Sequence, residues 1–215
     1  MIKAIIFDMD GVISDTDRSR FEIIKGLLAK KEIKLDKSLY QDSVGERTVA
    51  FLKRHFQNRL SEDEMEGIRQ ERKKELHRYP KKYIEPMPYA VECIKNFYKD
   101  GYILAVASSA SIDTIRLTLE TLGVKNFFSV IIGNDRITNY KPHPETYLEC
   151  VKELKLKSNE CVAIEDSVPG IKSAKSAGNF CIAVAYSHPK EKLIGADYII
   201  DSLKNLNKGL ISNKF

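Results

Sequence analysis

The feature that most constrains the fold is a short apolar run at residues 4–7 (AIIF) that ends abruptly in Asp8, Asp10 and Gly11. Four to eight apolar residues before a turn signal are typical of a buried strand in a parallel sheet. In an open α/β sheet, ligands bind at the carboxyl ends of the strands. Successive strand residues point to opposite faces. One carboxylate could therefore attack a substrate, while the other handles protons or lends its backbone carbonyl to a metal.

A second acidic pair, Glu165-Asp166, closes another apolar run at residues 161–164. Taken alone, an Asp-x-Asp-Gly segment is better explained as a strand end with solvated acids and a turn glycine. Two such carboxylate pairs, about 155 residues apart, are what a divalent-metal site at the edge of a parallel sheet needs. The repetition therefore favours a metal site over a simple turn.

The composition is that of a globular protein. The chain has 215 residues, 43% hydrophobic and 30% charged, enough for one core and a small satellite domain. No run reaches the roughly 18 apolar residues of a membrane span, and Asp8 interrupts the N-terminal apolar stretch, unlike a signal peptide. A cytoplasmic location is therefore expected. The cysteines show no paired C-x-x-C spacing and are expected to be reduced and structural rather than zinc ligands; they are Cys93, Cys150, Cys161 and Cys181.

The net charge of +5 is concentrated in residues 17–80, which hold 16 lysines and arginines against 12 acids. A mildly basic insert facing an acidic metal site suits a small anionic substrate. Basic and acidic residues alternate along apparent helices, as at residues 69–75, which is typical of a solvated helical face. Neither a nucleic-acid partner nor a membrane partner is expected.

The pattern of the chain predicts two domains. Residues 17–80 are helical in period and contain no convincing strand, and Pro80, Pro86 and Pro88 mark a boundary. The remainder alternates, with predicted strands at 102–107, 130–132, 161–164, 180–185 and 198–200, and predicted helices at 89–99, 111–122, from 144, 168–177 and 203–211. Such alternation implies an α/β fold with a Rossmann-like parallel sheet and helices on both faces. We expect residues 1–16 and 81–215 to form this catalytic core and 17–80 a small all-helical cap.

Four short segments lie directly after predicted strands or before predicted helices: Asp8-Met9-Asp10-Gly11, Ser108-Ser109, Lys141-Pro142 and Glu165-Asp166. In this order and spacing they resemble the four motifs of the haloacid dehalogenase superfamily. The helical insert after the first motif further resembles the β-phosphoglucomutase-like phosphatase branch. The resemblance covers essentially the whole chain.

The resemblance implies a catalytic role for four residues. Asp8 would be the nucleophile that attacks phosphorus, and Asp10 the general acid and then the general base. Lys141 would neutralise the nucleophile and the transferring phosphoryl group. Ser108 would bind a phosphoryl oxygen; its alternative role is capping of the following helix, which Ser109 or Ser111 could equally perform.

The resemblance also implies a Mg²⁺ cofactor. Asp8, the backbone carbonyl of Asp10, and Asp166 would hold the ion, with Glu165 a direct or water-mediated ligand. Mg²⁺ takes hard oxygen ligands in octahedral geometry and keeps several waters. For Ser167, capping and anion binding at the start of the next helix are equally good explanations.

Further residues are candidates for substrate binding. Gly11 lets the backbone approach a ligand closely, and Ser109 is a second serine at the motif. In the predicted cap, Arg47 lies in a segment, Gly45-Glu46-Arg47, that resembles the family's specificity loop and is one residue shorter. Lys73 and Lys74 are better explained as a solvated helical face.

These observations favour a monomeric phosphatase that hydrolyses a small phosphorylated metabolite through an aspartyl-phosphate. The alternative is a hexose-phosphate mutase similar to β-phosphoglucomutase. That family carries a cap histidine shortly after the position of Thr16, whereas this chain has Arg20 nearby and no histidine. A catalytically idle binding or regulatory module is a third alternative, which a missing motif residue would have favoured.

Overall fold

The computed structural model describes residues 1–41 and 48–214. The chain divides into two compact units, an α/β unit of Met1–Asp15 with Glu85–Phe215 and a helical unit of Thr16–Ile84. Among the described residues, no helix is both long and apolar enough to cross a lipid bilayer.

The α/β unit is built on a six-stranded, all-parallel sheet with the strand order β3-β2-β1-β4-β5-β6. The strands are β1 (Ala4–Phe7), β2 (Ile103–Ala107), β3 (Phe128–Ile132), β4 (Cys161–Glu165), β5 (Phe180–Val184) and β6 (Tyr198–Ile200). The first strand is central, and Phe7 pairs with Val106 on one side and Ile164 on the other. The chain winds in opposite directions from this point, which makes the carboxyl end of β1 the switch point where α/β folds bind ligands.

Helices cover both faces of the sheet, as the sequence predicts. They are α6 (Ala90–Lys99), α7 (Ile112–Thr121), α8 (Glu145–Leu154), α9 (Val168–Ser176) and α10 (Lys208–Lys214). Because strand residues alternate, Ile5 and Phe7 pack into one core cluster with α6, α7 and α10. Ala4 and Ile6 pack into the other cluster, with α8 and α9. The fold is therefore the expected α/β fold with a parallel sheet.

The helical unit contains α1 (Thr16–Ala29), α2 (Lys37–Gln41), α3 (Thr48–Phe56), α4 (Glu62–Arg78) and α5 (Pro80–Tyr83). Its core joins the apolar faces of α1, α3 and α4. The capping box is present: the Ser61 hydroxyl accepts from the Glu64 amide, and the Glu64 carboxylate accepts from the Ser61 amide. In the described part of this unit there is no strand.

All four cysteines are free and buried. Burial raises the pKa of the Cys93 thiol to about 12 and that of Cys161 to about 11. These thiols therefore stay protonated near neutral pH, and a neutral thiol is a poor metal ligand. They behave as small apolar side chains in the core.

The prediction of the last helix at 203–211 is wrong in its position. Residues Leu203–Asn205 form a single 3-10 turn, and the α-helix spans Lys208–Lys214. Two polar side chains explain the break: Ser202 Oγ accepts from the Lys204 amide at 3.2 Å, and Asn207 Oδ1 accepts from the Leu210 amide at 3.0 Å. Each caps its own short segment, so the helix restarts after Asn207. The remaining predicted elements of the α/β unit agree with the structure to within two residues.

Candidate active site

The candidate site lies at the carboxyl edge of the three central strands. Asp8 follows β1, Ser108 follows β2, and Glu165 ends β4. The Asp8 amide donates to the Ile164 carbonyl at 2.9 Å, and the Ser108 amide donates to the Ile132 carbonyl at 3.0 Å. These bonds extend the sheet ladder by one residue and fix the directions of the Asp8 and Ser108 side chains.

Three carboxylates converge at this edge. Oxygen atoms of Asp8, Glu165 and Asp166 all lie within 4.8 Å of one another, and the three residues are only 6%, 0% and 6% exposed. Asp10 is half-buried, and its Oδ2 accepts a long hydrogen bond from Ser108 Oγ at 3.4 Å. The structure thus brings together both acidic pairs that the sequence singles out.

Lys141 supplies the positive charge of the cluster. Its Nζ lies 2.6 Å from Asp8 Oδ1 and 2.6 Å from Glu165 Oε1, and it donates to the Ala107 carbonyl at 3.1 Å. An ammonium group has three protons, so these partners engage all of them. Burial alone would lower the pKa of Lys141, but the charges of Asp8 and Glu165 outweigh that effect and hold it above its usual value.

The acids remain in excess over this single cation. Burial raises the pKa of Asp8 well above its ordinary value; Lys141 opposes the shift, and Glu165, Asp10 and Asp166 add to it. When all three carboxylates are ionised, as an attacking Asp8 requires, the one ammonium leaves these four side chains with two surplus negative charges. A divalent cation would neutralise that surplus, and hard oxygen donors suit such an ion. The residues present therefore fit a divalent metal.

Both carboxylate oxygens of Glu165 accept hydrogen bonds from several protein groups. Its Oε1 accepts from Lys141 and from the Tyr147 hydroxyl at 2.8 Å. Its Oε2 accepts from the Asp166 amide at 3.2 Å, the Ser167 amide at 3.3 Å and the Ser167 hydroxyl at 3.1 Å. A carboxylate has about four lone-pair sites. Of the two expectations for Glu165, this arrangement favours a water-mediated contribution to metal binding over a direct bond.

Gly11 allows the first and last motifs to approach each other. Its φ is +79°, and a Cβ placed on it would lie 2.0 Å from Asp166 Oδ2 and 2.8 Å from Ser187 Oγ. The Ser187 hydroxyl donates to the same Asp166 oxygen. A side chain at Gly11 would therefore occupy the space of the carboxylate, and only glycine combines this conformation with this contact.

The Ser108 loop is held in place by the segment after β3. Ser108 is fully buried, and its Oγ accepts from the Ala110 amide at 3.0 Å. Asn134 Nδ2 donates to the carbonyl of the exposed Ser109 at 3.0 Å, and Asp135 Oδ2 accepts from the Ile112 amide at 2.6 Å. The first turn of α7 is thus capped by the Asp135 side chain; Ser111 occupies the N-cap position without a side-chain capping bond, and neither Ser108 nor Ser109 caps the helix. On α9, by contrast, Ser167 caps the helix, because its Oγ accepts from the Gly170 amide at 3.2 Å.

The sequence profile described as Haloacid dehalogenase-like hydrolase matches residues 5–184 of the chain. The chain belongs to this family. Its structure matches that of a β-phosphoglucomutase from Clostridium difficile with a TM-score of 0.78 and 28% identity, covering 100% of this chain and 97% of the other. The haloacid dehalogenase-like hydrolase is therefore of the β-phosphoglucomutase-like branch.

Curated relatives of this hydrolase carry phosphatase names. A Bacillus subtilis (strain 168) protein named "Putative phosphatase YhcW" is 33% identical over 189 residues, covering 86% of this chain and 84% of the relative. The N-acetylmuramic acid 6-phosphate phosphatase of Pseudomonas aeruginosa is 27% identical over 210 residues, covering 95% and 93%. The chain is therefore a phosphatase-family enzyme whose relatives act on small phosphorylated compounds.

The haloacid dehalogenase-like site also contains residues that sequence reasoning missed. Ser187, which contacts Asp166, lies three residues after β5, so its place at a strand end was a usable signal. Tyr147 gave no such signal, because an aromatic residue on an amphipathic helix predicts ordinary core packing.

The candidates outside the α/β unit have different outcomes. The segment Gly45-Glu46-Arg47, with its expected anion-binding arginine, lies outside the described residues. Lys74 pairs with Glu71 on the exposed face of α4, at 3.3 Å, which agrees with a solvated helical face. Arg20 lies 3.2 Å from Asp17 within α1.

Replacing Gly11 by alanine is expected to damage the site as well as the fold. Gly101 is the matched control, because its φ is +86° but nothing lies within 4 Å of an added Cβ. Gly101→Ala should lose about 1–2 kcal/mol of stability from the left-handed conformation alone and keep full activity. Gly11→Ala should lose at least as much stability, and most of the activity, because the Asp166 carboxylate must move. Urea unfolding and a phosphate-release assay would measure both; equal activities in the two variants would contradict the role of the contact.

Proposed function

We propose that the protein is a Mg²⁺-dependent phosphatase that hydrolyses a small phosphorylated metabolite through an aspartyl-phosphate on Asp8. The observation that carries this proposal is the buried cluster in which Lys141 bridges Asp8 and Glu165 beside Asp166. Such a cluster combines an oxygen nucleophile, a fixed cation and a set of hard oxygen donors. The phosphatase names of its relatives support the same reaction class.

In the first half-reaction, a carboxylate oxygen of Asp8 attacks phosphorus and the bond from phosphorus to the ester oxygen breaks. Asp10 donates its proton to the departing oxygen, so the alcohol leaves in neutral form. Asp8 is then covalently phosphorylated and Asp10 is an anion. The Ser108 hydroxyl, which contacts Asp10, lies at the strand end where a phosphoryl oxygen would be bound.

In the second half-reaction, the Asp10 carboxylate accepts a proton from water. The resulting oxygen nucleophile attacks the phosphorus of the aspartyl-phosphate, and the bond between phosphorus and the Asp8 oxygen breaks. Inorganic phosphate leaves, Asp8 is again a carboxylate and Asp10 is again protonated. One ester and one water are consumed for each alcohol and phosphate released.

The phosphoryl group carries negative charge that must be balanced beside a carboxylate nucleophile. Lys141 contributes one positive charge and is held in place by Glu165 and the Ala107 carbonyl. Asp8, the carbonyl of Asp10 and Asp166 would hold Mg²⁺, which supplies further charge neutralisation when bound.

The helical unit is proposed to determine which metabolite reaches the site. Residues 17–80 hold most of the surplus positive charge of the chain, which suits an anionic substrate. Their assignment as a cap stays a prediction, as do the anion-binding role of Arg47, a monomeric state and a cytoplasmic location.

Replacing the two aspartates of the first motif tests the mechanism. Asp8→Asn should abolish turnover, because an amide is a poor nucleophile. Asp10→Asn should slow turnover by roughly 10²–10⁴-fold, the range that general acid–base catalysis contributes. The exposed Asp100 gives a matched control, Asp100→Asn, with wild-type rates expected. Phosphate release and mass spectrometry of the trapped phospho-enzyme would measure these effects; undiminished activity of Asp8→Asn would exclude the mechanism.

Removing divalent metal is expected to abolish activity against every phosphorylated metabolite in a screen. Chelation with EDTA followed by dialysis should give inactive protein, and added Mg²⁺ should restore it, because the surplus negative charge repels a phosphate ester. Calorimetric titration should detect Mg²⁺ binding to the wild type and much weaker binding to Asp166→Asn. Full activity after complete chelation would contradict the metal requirement.

A hexose-phosphate mutase is the second candidate, favoured by the structural match to a β-phosphoglucomutase. A mutase must let a sugar hydroxyl, rather than water, reach the phosphorylated aspartate. This chain lacks the family's cap histidine after Thr16, which favours hydrolysis. With β-glucose 1-phosphate and a bisphosphate activator, we expect phosphate release to exceed isomerisation. Efficient formation of glucose 6-phosphate with little phosphate would instead establish the mutase.

A further inference from the structure

Tyr147 is a fully buried tyrosine beside the catalytic cluster. It lies on α8, and its hydroxyl donates to Glu165 Oε1 at 2.8 Å. Its ring centroid lies 5.0 Å from Lys141 Nζ, and its hydroxyl oxygen lies 3.5 Å from the same nitrogen. The phenol therefore contacts both members of the ion pair that supplies the positive charge.

The three protons of Lys141 have three close acceptors, Asp8, Glu165 and the Ala107 carbonyl, and the Tyr147 hydroxyl is a fourth, more distant acceptor at 3.5 Å. A phosphoryl oxygen can gain a hydrogen bond from Lys141 only if one of these partners gives it up. Asp8 is the natural one, because its oxygen loses negative charge once it bonds to phosphorus. Glu165 and the Ala107 carbonyl must then hold the ammonium in position.

Glu165 Oε1 has two donors, the ammonium of Lys141 and the phenol of Tyr147. The phenol approaches Glu165 from a fixed direction, because α8 packs against the sheet through the core cluster that contains Tyr147. Without the phenol, Lys141 would be the sole donor to that oxygen among the contacts described above. The ion pair would tighten, and the ammonium would move toward Glu165 and away from Asp8.

We propose that Tyr147 is a positioning residue for Lys141. The phenol of Tyr147 donates to Glu165 Oε1 and so keeps the Lys141 ammonium between Asp8 and Glu165. This inference rests on the proposed function, because it assigns Lys141 to the phosphoryl group. The ligand concerned is a phosphate group, whether free or part of an ester.

Tyr147→Phe tests the proposal, because it removes the donor and keeps the buried ring. A hydrogen bond to a charged group is involved, so we expect inorganic phosphate to bind roughly tenfold more weakly to the Mg²⁺-loaded protein. The value of kcat should fall by a similar factor. Mg²⁺ affinity, measured by calorimetry without phosphate, should fall much less than phosphate affinity, since the phenol contacts Glu165 Oε1 and none of the direct ligands proposed for the ion.

Three comparisons separate positioning from packing. Tyr83→Phe is the matched control in the helical unit, because it also removes a hydroxyl that donates to a glutamate, Glu75, at 3.4 Å. It should leave phosphate affinity unchanged. Tyr147→Leu, which also lacks the hydroxyl, should weaken phosphate binding at least as much as Tyr147→Phe. In a Lys141→Met background, Tyr147→Phe should have no further effect on phosphate affinity, because no ammonium remains to be positioned.

The proposal is overturned if Tyr147→Phe binds phosphate as the wild type does, or if only Tyr147→Leu is impaired, since the ring alone would then matter. It is equally overturned if Tyr147→Phe weakens Mg²⁺ binding as much as phosphate binding, or if its effect on phosphate persists in the Lys141→Met background. Failure of the proposed function would look different, because the wild type itself would then release no phosphate from any ester.

Discussion

The buried ammonium of Lys141 resolves an electrostatic conflict that the sheet order creates. Because β4 pairs directly with β1, the acids at the ends of both strands meet at one edge, where Asp8 and Glu165 are nearly inaccessible to water. Like charges in such a place are costly unless they are paired. Lys141 lies 2.6 Å from both carboxylates. Removing one member of a buried ion pair costs about 3–5 kcal/mol, so the stability of this edge and its chemistry depend on the same side chain.

The backbone around the cluster is shaped to allow this crowding. The carboxylate of Glu165 occupies the space where a Cβ on Gly170 would lie, at 2.0 Å. Asp166 fills the corresponding space beside Gly11. The two acids of the fourth motif are thus each packed against a residue without a side chain. Their close approach lets backbone amides and the hydroxyls of Ser167 and Ser187 donate hydrogen bonds to these two carboxylates.

The sequence predicted most of the fold because its signals were local. Buried strands and amphipathic helices can be predicted from the spacing of apolar residues. Once the strands are placed, the positions of acids such as Asp8 and Asp166 at their ends follow. The restart of the last helix at Asn207 was missed because a single side-chain hydrogen bond decides it. Tyr147 was missed for a different reason: its partner Glu165 is 18 positions away, and only the packing of α8 on the sheet brings the two together. Polar contacts between different helices and strands produce no periodic pattern in a sequence.

The contacts within the α/β unit also limit which phosphorylated substrates that unit can distinguish. In the proposed mechanism, Asp8, Lys141 and Ser108 act on the phosphoryl group and Asp10 acts on the oxygen of the leaving group. Every phosphate monoester has these atoms. None of these roles distinguishes one alcohol from another. Discrimination among metabolites, and between water and a sugar hydroxyl as acceptor, must therefore come from groups outside this cluster. We propose residues 17–80 as the source of such groups only on their sequence, since their surplus basic charge would favour a substrate with a second anionic group.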